Sequence, residues 1–142
     1  MKRAKAERVS LPAVLPLPLP VPGMEKRNSS FKLLDEYEYH DGGNRITIPV
    51  GFTCDLASVP ALAMPFIRPV ALGAPAPLVH DFLYRYAGTL PEGAIVPARA
   101  YTRWQADALF LRMLLLDKVK PIKAVLAFFA VLLFGGRYWG GA

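Results

Sequence analysis

The segment Arg103-Trp-Gln-Ala-Asp-Ala-Leu-Phe110 places a carboxylate among apolar residues, and this decides how the chain folds. A helix over the segment carries residues at three- and four-residue spacings on one stripe. These residues are Trp104, Asp107, Leu111 and Leu114. Because an unpaired buried charge costs on the order of several kcal/mol, a carboxylate on this stripe needs a polar partner. We therefore expect Asp107 to bind a side chain from another element.

A second segment, His80-Asp-Phe-Leu-Tyr84, supplies the expected partner. Two prolines ahead of it favour a helix start, and Gly88 favours a helix end. His80 and Arg85 are the side chains of this helix that are able to reach Asp107. The pattern predicts two helices that are joined through a buried polar contact.

The simplest interpretation of these charged residues is a structural network. Asp81 and Arg85 are spaced as an i,i+4 pair, and so are Arg103 and Asp107. A hydrogen bond from His80 to Asp107 would connect the two helices. The residues alone favour this interpretation, in which no cofactor is needed.

The alternative interpretation is a metal or acid/base site. Histidine and carboxylates suit Zn, Mn or Fe, which would hold a water of lowered pKa. The candidate ligands or bases are Asp55, His80, Asp81 and Asp107. The metal-dependent phosphohydrolases of the HD type share with this chain only the His-Asp dipeptide, since they need further histidines. The other histidine, His40, lies beside a predicted turn.

A nucleophilic site is a third interpretation, with Cys54 or Ser58 acting beside His80. The neighbouring Asp55 raises the pKa of the Cys54 thiol, so a small core residue is the better interpretation of this cysteine. Asp55 and Ser58 are also typical of side chains that cap a turn. The candidate catalytic residues are Asp55, Ser58, His80, Asp81 and Asp107.

Alternation with a period of two predicts a β-hairpin before the helices. Its turn is Asp41-Gly-Gly-Asn44, and Pro49 marks the second strand as an edge or as a strand end. The inward residues are Phe31, Leu33, Tyr37, Tyr39, Ile46, Ile48 and Val50. A long helix over 98–118 and a third from Pro121 to Gly135-Gly136 complete an α+β domain, a hairpin packed on a three-helix bundle.

Residues 1–24 are expected to form a basic, Pro-rich extended arm, followed by a single domain over 25–142. Five prolines between 12 and 22 alternate with leucine and valine, a pattern that favours polyproline II and breaks any helical signal segment. Residues 1–30 hold six Lys or Arg and two Asp or Glu, so most of the formal net charge of +6 lies there. We expect no nucleic-acid binding, because no recognition motif accompanies this charge.

The aromatic and apolar end of the chain imitates a membrane segment. Ala124 to Phe134 is continuously apolar but gives about 16 Å of helix against about 30 Å of bilayer core. A buried helix is therefore expected, with a membrane-surface role as the alternative. Trp104 and Trp139 are expected to close the core between helices.

The motifs together resemble a family of small proteins, encoded mainly by bacteriophages and prophages, that carries a domain of unknown function. The resemblance covers Phe31 to Trp139. The segments that carry it are Pro49-Val-Gly-Phe52, Asp55-Leu-Ala-Ser-Val-Pro60, His80-Asp-Phe-Leu-Tyr84, Ala106-Asp-Ala-Leu-Phe110 and Phe134-Gly-Gly-Arg-Tyr-Trp139. The family has a hydroxyl-bearing or apolar residue where Cys54 stands, and the arm is not part of its pattern.

The resemblance implies a phage context and no particular reaction. We expect a non-enzymatic virion protein of the tail or head-tail assembly, made in the bacterial host cytoplasm. Its arm would bind other phage structural proteins and further copies of the chain, because an extended arm docks without a preformed pocket. The alternatives are a phage metal-dependent hydrolase that uses the Asp/His cluster and a membrane-surface protein acting in lysis.

Overall fold

The computed structural model describes residues 14–16, 31–54 and 75–140 of the chain. The strands, in chain order, are β1 (Val14–Pro16), β2 (Phe31–Leu33), β3 (Tyr37–Asp41), β4 (Asn44–Ile48), β5 (Thr53–Cys54) and β6 (Ile95–Val96). The helices are α1 (Pro75–Arg85), α2 (Arg103–Leu116) and α3 (Pro121–Phe134), and a 3-10 turn follows over Gly135–Tyr138. Antiparallel strands followed by three helices confirm the predicted α+β class.

The predicted hairpin is formed by β3 and β4, joined at the Gly-Gly turn. Tyr37 lies opposite Ile48 and Tyr39 opposite Ile46, and all four side chains are buried. β4 ends just before Pro49, as expected, because proline has no backbone N–H to donate to a neighbouring strand. Of the two alternatives expected at Pro49, the strand end is therefore the one observed. β4 is not an edge, because β6 pairs with its other side and makes it the central strand.

The inward residues expected at the start of the hairpin belong to a second sheet. The chain bends at residues 34–35, so β2 leaves β3 and pairs instead with β1 and β5. Val50, expected to face inward, is exposed because it follows the end of β4 in a turn. β1 is the part of the expected arm that the structure describes, and it runs antiparallel to β2 of its own chain. The rest of the arm lies outside the described residues.

A capping box sets the start of α2 five residues later than the sequence predicted. The Thr102 hydroxyl accepts a hydrogen bond from the Gln105 backbone N–H at 3.1 Å, and the Gln105 side-chain oxygen accepts one from the Thr102 N–H at 3.0 Å. These bonds satisfy donors that the first helical turn leaves unpaired. α3 begins at Pro121 as predicted and ends one residue before the glycine pair.

The centre of the fold is α1, since every residue from Pro75 to Tyr84 is buried. α2 packs against α1, and α3 packs against α2. The buried side chains of α2 are Ala106, Asp107, Leu109, Phe110, Met113 and Leu114. Trp104 does not close the core as expected, because it lies in the first turn at the rim of this face and is 59% exposed. Trp139 does pack inward, with its ring 5.0 Å from that of Tyr84.

Gly88 ties the end of α1 to the start of α2. Its N–H donates to the Leu83 carbonyl at 2.9 Å, and its carbonyl accepts from the Tyr101 N–H at 2.9 Å. Its φ of +78° lies in the left-handed region, and a Cβ there would stand 1.8 Å from the Tyr101 carbonyl oxygen. No other residue type fits this close crossing of two backbones.

We predict that Gly88→Ala lowers the free energy of unfolding by at least about 3 kcal/mol, from left-handed strain plus the clash with backbone. Gly42→Ala is the control, because Gly42 has a similar φ of +58° with no atom near its missing Cβ. That control should lose only about 1 kcal/mol. Denaturant unfolding measures both values, and equal losses in the two variants would contradict the crossing described here.

Candidate functional site

A histidine, a tyrosine and an aspartate meet at the interface of α1 and α2. His80 Nε2 lies 2.8 Å from Asp107 Oδ1, and the Tyr84 hydroxyl donates to the same oxygen at 2.6 Å. His80 and Tyr84 are one helical turn apart on α1, so their side chains lie on one face. Neither the imidazole nor the carboxylate is exposed to solvent. This is the contact between the two helices that the sequence predicts.

Arg103 joins this group from the first turn of α2. Its Nε donates to the Tyr84 hydroxyl oxygen at 3.2 Å, and its Nη2 donates to the backbone carbonyls of Val131, at 3.1 Å, and Leu132. The expected Arg103–Asp107 ion pair is therefore not formed. The guanidinium turns instead to the C-terminal end of α3, where the helix dipole is negative. It shares the Val131 carbonyl with the Gly135 backbone N–H.

One oxygen of the central carboxylate is left without a partner. Within the described residues, Asp107 Oδ2 is buried and accepts no hydrogen bond. Such an atom carries a desolvation penalty of about 1–3 kcal/mol. Buried unsatisfied polar atoms are rare in folded proteins, and a catalytic role is one of the physical explanations for them.

The imidazole of His80 is held neutral. Burial is the main cause that lowers its pKa below the usual 6.5, and this outweighs the opposing effect of Asp107. Since Nε2 faces a carboxylate, that nitrogen carries the proton in the neutral ring. The rings of Tyr84 and Phe110 lie 4.2 Å and 4.7 Å from the imidazole and fix its plane.

Tyr84 acts as a permanent donor in this group. Burial, together with its hydrogen bond to Asp107, raises the pKa of the phenol well above its ordinary value of 10.0. The hydroxyl thus keeps its proton at every physiological pH. It links the charge on Arg103 to the carboxylate without direct contact between them.

Asp81 and Arg85 form a separate contact on the other side of α1. Arg85 Nη2 lies 3.4 Å from Asp81 Oδ2, which is the i,i+4 pair predicted from the sequence. The same guanidinium donates to the Thr53 carbonyl at 2.8 Å and lies 4.4 Å from the ring centre of Phe52. The pair therefore ties α1 to β5, the strand that leads into residue 55.

Two of the predicted site residues belong to a part of the chain that the structure does not describe. Asp55 and Ser58 lie outside the described residues, and so does any contact that they make with His80 or Asp81. Over 31–54 and 75–140, no three His, Cys, Asp or Glu side chains are grouped so that they could hold a metal ion.

Sequence reasoning missed a second carboxylate cluster. Asp41, buried at the end of β3, accepts a hydrogen bond from the Tyr101 hydroxyl at 2.6 Å and pairs with Arg99 at 3.5 Å and with Arg112. Trp104 helps to line the surface cleft beside it, which has a volume of about 360 Å³. In the sequence, the position of Asp41 before two glycines indicated only a turn residue. The partners lie 58 to 71 positions away, so no local signal indicated the cluster.

Comparison with known proteins gives a family and no closer relative. The model of a family described as "Protein of unknown function (DUF1353)" matches residues 31–131. No curated protein and no solved structure matches the chain. The matched range lies within the segment over which the motifs show their resemblance.

We predict that His80 makes the free energy of unfolding decrease as the pH is lowered. Its pKa is lower in the folded than in the unfolded chain, so the unfolded chain binds more protons once the pH drops below about 6.5. The free energy of unfolding should therefore be constant with respect to this group above that pH and decrease below it. His80→Gln should flatten this part of the pH profile. Denaturant unfolding from pH 8 to pH 5 tests the idea, and an unchanged slope in the variant would contradict it.

Proposed function

The chain belongs to this family of proteins of unknown function, and we propose that it is a hydrolase in which His80 is the general base. The observation that carries the proposal is the hydrogen bond from His80 Nε2 to the fully buried Asp107. A buried carboxylate in this position holds an imidazole in one tautomer and stabilises the imidazolium that forms when the ring takes a proton.

The electrostatics of the group suit a base. Burial lowers the pKa of His80, so the ring is neutral near pH 7 and able to take up a proton. Asp107 is in turn fixed by Tyr84, which Arg103 holds in place. This is the base with an orienting group behind it that hydrolytic sites require.

The same group is an expensive way to join two helices. Burying the Asp107 carboxylate beside a neutral imidazole costs desolvation free energy that apolar residues of similar size would not. Among the described residues, Asp107 Oδ2 also has no hydrogen-bond partner. A buried histidine of lowered pKa, hydrogen-bonded to a buried carboxylate, supports a catalytic role more than a structural one.

We assign the substrate to the carboxylic esters. His80 would take the proton of a water or hydroxyl as its oxygen bonds to the ester carbonyl carbon. When the tetrahedral intermediate collapses, the carbon–alkoxide bond breaks and the imidazolium returns the proton to the leaving alcohol. An ester suits a single base, because the alcohol leaves without a second acid.

Two forms of the mechanism differ in the source of the attacking oxygen, and both involve residues beyond the described segments, Ser58 or Asp55. In one, the attacking oxygen belongs to Ser58 and an acyl-enzyme forms. In the other, it belongs to a water, which a Zn, Mn or Fe ion held by Asp55 and Asp81 would further activate. Labelling by a fluorophosphonate reagent supports the first form, and loss of activity in chelator supports the second.

We predict that the purified full chain releases product from p-nitrophenyl butyrate or from mixed micelles of phosphatidylglycerol. His80→Gln should lower the rate about 10²- to 10⁴-fold, because a general base contributes that much. Arg112→Gln is the matched control, since it removes a charged partner from another buried aspartate, Asp41. Its rate should change little.

Thermal unfolding of both variants separates lost chemistry from lost folding. A folded His80→Gln variant that keeps its rate contradicts the proposal. So does a wild-type chain that hydrolyses neither substrate.

A second candidate function is that of a phage virion component in the tail or head-tail assembly. The observation in its favour is β1, because three residues of the Pro-rich arm add a strand to β2. Strand addition is a common way for an extended arm to join a neighbouring subunit, and the same strand is able to pair with another copy or with another structural protein.

We predict for this candidate that deletion of residues 1–24 removes the protein from assembled particles. The reason is that the arm would supply the strand contacted by neighbouring subunits. Immunoblotting of purified virions measures incorporation, with Leu34→Ser as a control for an altered surface outside the arm. Particles that incorporate the shortened chain normally would exclude this role.

A further inference from the structure

The outer face of α3 is apolar along its whole length. Its exposed side chains recur at spacings of three and four residues and form one stripe, which we call the outer stripe. The outer stripe consists of Ile122, Val125, Leu126, Phe129 and Leu133. Lys123 is the one charged residue between the first and last positions of the helix.

The opposite face of α3 is already covered. Its buried residues are Ala124, Ala127, Phe128, Ala130 and Val131, and they face α2. A helix on the surface of a soluble domain normally carries polar residues on its outer face. A continuous apolar stripe on the outside is instead typical of a surface that docks on something.

The charges near the outer stripe are nearly all positive. From residue 108 to the end, the chain contains five basic side chains and one acidic one, Asp117. Lys118, Lys120 and Lys123 lie at the start of α3, and Arg137 lies just after its end. Cations at both ends of an apolar stripe match a surface with negative headgroups over an apolar interior.

We propose that the outer stripe docks on the surface of a bilayer that contains anionic lipids, with α3 lying parallel to that surface. By length and composition, Pro121–Tyr138 is also able to cross a membrane. Crossing would take the Arg103 guanidinium, which is bonded to the Val131 and Leu132 carbonyls, into hydrocarbon or break those bonds. Lying flat keeps every contact of the buried face.

An exposed tryptophan next to α3 supports this orientation. The Trp104 ring packs edge-on against Phe128 of α3 at 5.7 Å and is otherwise largely exposed. Indole rings favour the boundary between headgroups and acyl chains, because they combine an apolar body with a polar N–H. Because Phe128 belongs to the covered face of α3, the Trp104 ring lies beside the outer stripe and not within it.

The docking itself does not depend on the proposed function. One consequence does rest on it, namely that a hydrolase docked in this way has the ester bonds of membrane lipids as its substrate class. Release of fatty acid and binding to vesicles are separate measurements. A chain that binds vesicles and releases no fatty acid overturns the lipid-ester substrate class and leaves the docking intact.

The test is flotation of the full chain with vesicles of equal parts phosphatidylcholine and phosphatidylglycerol. We expect the wild type to float with these vesicles and much less with phosphatidylcholine alone or in about 0.5 M salt, which screens the lysines. The double variant Phe129→Ser with Leu133→Ser should bind at least about tenfold more weakly. The control is the double variant Leu34→Ser with Val96→Ser, which removes two exposed apolar side chains away from α3. Leu34 and Val96 are 48% and 47% exposed, and Phe129 and Leu133 are 50% and 69% exposed.

Each other outcome decides against the docking. Flotation that is equal for the two double variants would place the binding elsewhere, in the basic arm for example. A wild type that stays unbound and forms a dimer, which the α3 variant dissociates, would assign the outer stripe to a second copy of the chain. Retention in vesicles after alkaline carbonate washing would show a spanning helix. Melting curves confirm that both double variants are folded.

Discussion

The structure depends on one oxygen atom, Asp107 Oδ1, which accepts hydrogen bonds from both His80 and Tyr84. Because these donors are one turn apart on α1, their convergence fixes both the height and the rotation of α1 against α2. Non-directional apolar packing alone would allow neighbouring registers of similar energy. The charged group therefore specifies an arrangement that the surrounding leucines and phenylalanines then stabilise.

The fold uses the same combination of side chains twice, with different consequences. Asp41 and Asp107 each accept a tyrosine hydroxyl at 2.6 Å, and each tyrosine is accompanied by arginine. Around Asp41 the arginines pair directly with the carboxylate and are partly exposed, so solvent screens that charge. Around Asp107 the nearest guanidinium is one hydroxyl away and solvent is excluded. Only the second carboxylate lies where a proton transfer is strongly affected by its surroundings.

The features predicted from sequence are those that local chemistry determines. Prolines at helix starts, glycine after α1 and the period-two residues of β3 and β4 each act within a few positions. Asp107 was predictable as well, since a carboxylate on an apolar stripe requires a partner and His80 was at hand. The bend at residues 34–35, the pairing of β6 and the turn of Arg103 away from Asp107 depend on segments distant in sequence. No local pattern contains that information.

The bonds from Arg103 to the last carbonyls of α3 also have a mechanical meaning. The guanidinium is planar and rigid, so it holds the C-terminal end of that helix at a fixed distance from the Tyr84 hydroxyl. A small tilt of α3 would move the guanidinium, and with it the Tyr84 hydroxyl. The hydrogen bond from that hydroxyl to Asp107 would change in length and strength. A movement of α3 would therefore be transmitted through Arg103 and Tyr84 to Asp107, a carboxylate that is fully buried.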